Sequence, residues 1–254
     1  DAGANAVKFQ TYRAEDLSFP SSPHFKVIKC GQMNLKQHLE LAGVAKANKV
    51  DFISTPYSLW AVDLLEKVGV KSYKIASMDL TNTELLRCVA KTAKPLIIST
   101  GMAKLSEIVS TVKMLRKLKS GTVTLLHCLS QYPVNQKDIN LAFMDIIRKA
   151  SGCPVGYSDH AKGTFACLIA AILGAEVIEK HFTLNKSLPG PDHSSSFTPV
   201  EFEQMVKKIR EAELAMGSSL KAPAEIERRN ALGMRRSIVA KKKIPTGEII
   251  TEDK

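Results

Sequence analysis

Two histidines close two short runs of similar design: PVGYSDH, ending at His160, and EVIEKHFT, in which the histidine is His181. An apolar stretch of helical length separates them. If the two runs are neighbouring parallel strands, both imidazoles emerge at the same carboxyl-terminal edge, and two imidazoles converging there make a site for a divalent metal ion. Asp159, Asp192 and His193 place further polar groups in the same region. The alternative is that each histidine is half-buried and satisfied by a backbone partner. The recurrence of the pattern at two equivalent strand ends, with acids beside it, points toward a site.

The other strand-like runs end in the same kind of chemistry. In chain order the ends carry Lys8 and Gln10; Ser54 and Thr55; Lys74, Ser77 and Asp79; Ser99 and Thr100; His127, Ser130 and Tyr132; Ser158 to His160; and Lys180 with His181. Lysines with hydroxyls suit a phosphate or carboxylate ligand. A lysine in a strand buried on both faces needs an anion beside it. Met78, Met102, Met144 and Met205 read as core filler, and Trp60 as a helix-packing residue.

The elements that must position these residues alternate regularly. Strands are expected at 6–11, 51–56, 72–77, 95–100, 123–128, 154–158 and 176–182, with amphipathic helices between them, among them one over about 141–149. Thr81 with Glu84 and Thr198 with Glu201 read as capping boxes, the second with Pro199 at the first helical position. Strands alternating with helices imply an α/β fold with a parallel sheet. Polar residues at every strand end favour a (β/α)8 TIM barrel, whose strand ends converge on one mouth, over an open doubly wound sheet, whose chemistry gathers at one switch point. Seven units are visible and a barrel needs eight, so the first βα unit is expected to be missing from the amino end. The barrel is expected over 1–216 and a linker with a short helix over 217–234. Residues 235–254 read as the hairpin-like start of a small domain, too short to bury a core alone.

The chain has 254 residues, 44% of them apolar, and a net charge of +11. Its basic residues are spread along helix faces and not gathered into an aromatic-interleaved patch, which argues against nucleic-acid binding; a positive field draws in an anionic small substrate. The longest apolar run, Phe165 to Leu173, is too short to span a bilayer. Five scattered cysteines without a CxxC imply reduced thiols and a cytoplasmic setting.

GANAVKFQTY, DFISTP, YKIAS, STGM, LLHCLSQYP, VGYSDH, EKHFTL and PGPDH occur in one order along the chain. In these pieces it resembles the sialic acid (N-acetylneuraminate) synthase family, PEP-dependent nonulosonic acid synthases, and RRSIVAKKKIPTGEIITEDK is similar to the start of that family's C-terminal antifreeze-like (SAF) domain. The resemblance implies a (β/α)8 barrel that condenses phosphoenolpyruvate (PEP) with an N-acyl hexosamine aldehyde, such as N-acetylmannosamine, and releases phosphate. It implies that His160 and His181 hold a divalent metal, Mn²⁺ first, with Mg²⁺ or Co²⁺ as other candidates. Lys8, Thr55, Lys74, Ser77, Ser99 and Ser130 would hold PEP, and Gln10, Asp79, Tyr132 and Asp192 would meet the sugar; Lys8, Lys74, Asp79 and Tyr132 are the expected catalytic set. It further implies a homodimer, and a preceding strand that ends in a glutamate and an Asn-His pair; without these the present residues are expected to turn over poorly. PGPDH favours a sialic or legionaminic acid product over pseudaminic acid. Two other readings stay open: a Schiff-base aldolase using Lys74 or Lys8, and a non-catalytic phosphate-binding barrel.

Overall fold

The computed structural model describes residues 2–132, 134–190 and 192–252 and divides into two units, 1–216 and 217–254. The first unit runs β1 (Ala6–Thr11), α1 (Ala14–Leu17), α2 (Phe25–Cys30), α3 (Leu35–Ala47), β2 (Asp51–Pro56), α4 (Leu59–Val68), β3 (Tyr73–Ile75), α5 (Thr83–Lys91) and β4 (Leu96–Ser99). It continues with α6 (Leu105–Lys117), β5 (Val123–Cys128), α7 (Phe143–Ser151), β6 (Val155–Asp159), α8 (Phe165–Ile172), β7 (Ile178–Lys180) and α9 (Pro199–Met216).

The seven strands are all parallel and pair in strict chain order, β1 to β7. That order contains no reversal, so the doubly wound alternative, which requires one, is excluded. The sheet curls: Lys8 on β1 reaches Glu179 on β7 at 3.0 Å. The result is an α/β barrel-like fold with helices outside the sheet.

The two-residue strand period divides the side chains between two environments. Tyr73 and Ile75 on β3, Leu96 and Ile98 on β4, Leu125 on β5, and Val155 and Tyr157 on β6 are buried in one core with Leu65 of α4, Leu85, Leu86 and Val89 of α5, Ile108 and Leu115 of α6, and Ile147 of α7. Their alternates, such as Lys74 and Ser99, face the barrel interior. Gly156 is an interior position with no room for a side chain: a Cβ there would lie 2.2 Å from the Val177 carbonyl oxygen.

Several boundaries differ from the sequence expectation. β7 is shorter than 176–182 and β3 shorter than 72–77, because the chain after Ile75 turns at once into a 3₁₀ segment, Ser77–Asp79. The helix expected near 141–149 lies over Phe143–Ser151. The cap of α5 is Asn82 and not Thr81: the Asn82 side chain accepts a hydrogen bond from Leu85 N at 3.2 Å, which satisfies an otherwise orphaned amide. The box at Thr198 and Glu201 forms, with Glu201 Oε2 accepting from Thr198 N at 2.9 Å.

The second unit contains α10 (Glu225–Met234). Among its described residues, 236–251 form no strand, contrary to the hairpin-like reading. Ile238, Val239 and Ile250 stay exposed, and a two-stranded hairpin without a buried apolar face is marginal in water. No helix among the described residues is long and apolar enough to cross a membrane.

Candidate active site

The interior-facing alternates line a cavity of ≈ 240 Å³ at the carboxyl ends of the strands. Of the twelve site residues named from sequence, eleven line it: Lys8, Gln10, Thr55, Lys74, Ser77, Ser99, Ser130, Tyr132, His160, His181 and Asp192. Asp79 does not. It sits in the 3₁₀ turn after β3, only 6% exposed, with Oδ1 accepting from Asn82 at 3.0 Å and Oδ2 without a hydrogen-bond partner among the described residues. The turn aims it into packed protein, where burial pushes its carboxyl above the usual aspartate range. Asp79→Asn is therefore expected to raise stability at neutral pH by about 1 kcal/mol, by removing an under-satisfied buried charge. A carboxyl with a raised folded pKa costs stability only above its ordinary range, so the gain should vanish as pH falls below about 4. Thermal unfolding of both proteins between about pH 3 and about pH 8 checks this, and a pH-independent gap would contradict it.

Glu179, which the sequence reading passed over, organises the floor. Its carboxylate lies 3.0 Å from Lys8 Nζ and 3.6 Å from Lys74 Nζ, and accepts from Ser158 Oγ at 3.3 Å. Burial alone would raise the Glu179 carboxyl, but Lys74 and Lys8 outweigh it and hold the group at about 2. Lys74 is buried, which lowers its pKa, while Glu179 opposes the shift. Lys74 Nζ also donates to Ser99 Oγ at 2.6 Å and to Ile75 O at 3.0 Å. Three acceptors therefore surround it, enough to take up the three donors of an ammonium ion. The signal for Glu179 was present in the sequence: it stands two residues before His181, hence on the same strand face, and two interior lysines demand an anion.

Hydroxyls complete the floor. Ser77 Oγ accepts from Gly101 N at 3.0 Å. A Cβ at Gly101 would lie 2.5 Å from Ser130 Oγ and 2.8 Å from Ser77 Oγ, so only glycine lets both hydroxyls converge there. Met78 and Met102 are not core filler: they are 59% and 73% exposed and line the mouth, whereas Met144 and Met205 are buried. Tyr57 and Cys128 also line the cavity. Burial raises both groups, so they stay protonated near neutrality.

The two imidazoles meet, with ring centroids 5.2 Å apart. His160 Nδ1 lies 2.7 Å from the Leu129 carbonyl oxygen; a carbonyl can only accept, so Nδ1 carries the hydrogen and Nε2 presents its lone pair. Burial lowers the His160 pKa. His181 is held at about 4 by burial, with Asp192 opposing and Lys8 and His160 adding to the effect. Both rings are therefore neutral at pH 7. A neutral imidazole whose second nitrogen is fixed by a carbonyl is the usual state of a metal-binding histidine. Two facing imidazole nitrogens are donors of the type a divalent transition metal takes, although among the described residues they are not joined by a further His, Cys, Asp or Glu into a group of three or more that could hold a metal ion. Tyr132 flanks the pair, 4.1 Å from the His160 ring and edge-on to His181 at 5.8 Å. Burial pushes its hydroxyl up to about 12.

Several residues expected at the mouth lie on the opposite face of the sheet. His127 Nε2 bonds the Ile139 carbonyl at 2.7 Å. Ser54 joins Thr11 at 2.7 Å, and Thr100 donates to Leu126 O. Asp159 and Lys180 pair with each other at 2.7 Å beneath α8 and α9. His193 bonds Thr183 Oγ1 at 2.7 Å outside the cavity. The reason for the strand residues is common: neighbours along a strand point to opposite faces, so adjacent residues do not both enter the mouth.

The sequence and fold have recognisable relatives. Residues 1–221 match the NeuB family. The chain is 40% identical over 268 residues to N,N'-diacetyllegionaminic acid synthase of Campylobacter jejuni, an alignment covering 99% of this chain and 80% of that protein. It is 33% identical over 269 residues to pseudaminic acid synthase of Helicobacter pylori, covering 100% and 78%. The crystal structure of N-acetylneuraminic acid (sialic acid) synthetase from Leptospira borgpetersenii matches with a TM-score of 0.85 at 33% identity, over 93% of this chain and 84% of that one. The family match spans the whole curled sheet and every residue that lines its cavity, and the chain belongs to the NeuB family of enzymes.

Proposed function

We propose that the protein condenses phosphoenolpyruvate with the aldehyde form of an N-acyl hexosamine, N-acetylmannosamine or a relative, to give a sialic-acid-type nonulosonic acid and inorganic phosphate. The observation that carries this reading is the floor of the cavity. Two lysines and four hydroxyls converge there beside two neutral imidazoles. Lys8 and Lys74, with Thr55, Ser77, Ser99 and Ser130, match the phosphate and carboxylate of PEP in charge and donor count. Gln10, Tyr132 and Asp192 line the outer part and would meet the sugar.

His160 and His181 would hold the divalent ion, Mn²⁺ first and Mg²⁺ or Co²⁺ as alternatives. When bound, it supplies Lewis-acid polarisation of the sugar aldehyde. In the reaction C3 of PEP forms a bond to the aldehyde carbon, whose oxygen takes up a proton. Water adds at C2, and the C2–O bond to phosphate breaks, leaving the 2-keto acid. The fixed lysines and hydroxyls would hold PEP beside the imidazole pair, so its position is supplied before the bond forms.

The test is phosphate release from PEP by the full-length protein, with a panel of N-acyl hexosamines and with or without Mn²⁺. Metal-dependent release with one sugar and none from PEP alone is the expected result. Absence of release with every sugar, from folded and metal-loaded protein, would sink the proposal. Within this reading, PGPDH and the higher identity to the legionaminic than to the pseudaminic enzyme support a sialic or legionaminic acid product. The sugar panel decides between them.

A further inference from the structure

Behind the two imidazoles, on the helix-facing side of the sheet, lies an ion pair that no step above uses. Lys180 Nζ and Asp159 Oδ2 are 2.7 Å apart, with side chains 1% and 0% exposed. Asp159 also accepts from Tyr157 Oη at 2.9 Å, Ala161 N at 2.8 Å and Cys167 Sγ at 3.1 Å. Lys180 additionally donates to the Ala161 carbonyl and lies 4.3 Å over the Phe197 ring. Each member of the pair immediately precedes a cavity histidine, His160 or His181, and by the strand period points the opposite way.

The ladder beside it is short. β7 has three residues and joins β6 through three register pairs, Tyr157↔Ile178, Ser158↔Glu179 and Asp159↔Lys180. A slip of one residue would turn Glu179 and His181 away from the cavity together. The same slip would strand Lys180 and Asp159 without each other in a dry environment, which is strongly disfavoured. The network also reaches the backbone on both sides of the pair. Lys180 and Asp159 hold both the carbonyl and the amide of Ala161, the residue after His160. Phe197, under the Lys180 ammonium, donates its amide to the His181 carbonyl at 2.8 Å.

We infer that the buried Asp159–Lys180 pair positions the two imidazoles: it locks β6 against β7 in the one register that brings His160 and His181 to a common point. Asp159 and Lys180 are positioning residues that never touch the ligand. The inference rests on the proposed metal reading only for the identity of that ligand.

The test is the double variant Asp159→Asn/Lys180→Met. It leaves no lone buried charge, keeps an acceptor for Tyr157 and Ala161, and nearly conserves volume, so it is expected to fold. Two readouts are taken on the full-length protein: Mn²⁺ affinity by titration, and the separation of the His160 and His181 rings in a crystal structure. The expected result is an Mn²⁺ dissociation constant raised roughly 10- to 100-fold, as for loss of a group that orients metal ligands, at a melting temperature close to that of the parent. The ring separation should depart from 5.2 Å. A folded variant that keeps the parental ring separation overturns the inference, whatever the metal does, and so does unchanged Mn²⁺ affinity. A parent that binds no Mn²⁺ defeats the metal reading instead, and the ring separation then decides the inference alone.

Discussion

Glu179→Gln is expected to lower the unfolding free energy by roughly 3 kcal/mol, at the low end for a broken buried pair because Glu179 keeps slight contact with solvent. The substitution preserves shape and removes one charge. What it leaves is two lysines facing one cavity, one of them almost wholly buried, with no carboxylate between them. The protein must then hold an uncompensated ammonium or deprotonate Lys74, and either outcome costs stability. The same change has an opposite signature with ligand. On the proposed reading PEP brings its own negative charges to Lys8 and Lys74, and so stands in for the lost carboxylate. Added PEP should therefore raise the melting temperature of Glu179→Gln by more than it raises that of the parent. Calorimetry with and without PEP measures both effects. Equal PEP-induced shifts would show that Glu179 and the ligand do not share the lysines, and an unchanged melting temperature without ligand would show that the pairing is energetically idle.

On the proposed reading, His181→Ala should reduce metal-dependent phosphate release by on the order of 10³-fold or more, several kcal/mol of transition-state stabilisation. On that reading the two facing imidazoles are the donors, so losing one leaves a single imidazole that cannot hold an ion alone at ordinary concentrations. The floor of lysines and hydroxyls is untouched, so the KM for PEP should stay within a few-fold while kcat falls, the pattern of an interaction made chiefly in the transition state. A matched loss in PEP affinity would assign His181 to PEP binding instead. His127 provides the contrast. It is also a histidine near a strand end, but its ring packs between Phe143 and Tyr157 and bonds the Ile139 carbonyl. His127→Ala should cost stability, about 1–3 kcal/mol, and leave Mn²⁺ affinity as it was.

These two histidines show where sequence reasoning reached and where it stopped. Both close a β-branched run beside polar residues, and both were read as mouth residues. Only the phase of each strand separates them: His181 shares a face with Glu179, whereas His127 shares one with Leu125. The same phase error placed Asp159 and Lys180 beside the metal candidates, one residue out of step, when they lie on the other face and hold each other. It also hid Glu179, which stands in full view inside EVIEKHFT. Met78 and Met102 were misplaced for a different reason. They sit in turns after β3 and β4, where the strand period no longer applies and only the path of the turn decides exposure.

The sequence by itself determined the alternation of strands and helices, the parallel sheet, the change of character at Met216 and Gly217, and a set of twelve site residues of which eleven line the cavity. Those follow from hydrophobic periodicity and from polar residues placed at strand ends, which are local properties of the chain. The tertiary structure alone decided that the sheet curls far enough for β1 and β7 to share an ion pair, and that one glutamate serves two lysines. It also decided that the ordered cap of α5 is Asn82, that Asp79 turns into the protein, and that a second buried ion pair stands behind the two imidazoles. Each of these depends on which distant side chain occupies the space across a strand or a turn. The energy of a buried charge is set by that partner, and no local pattern in the chain encodes the distance to it.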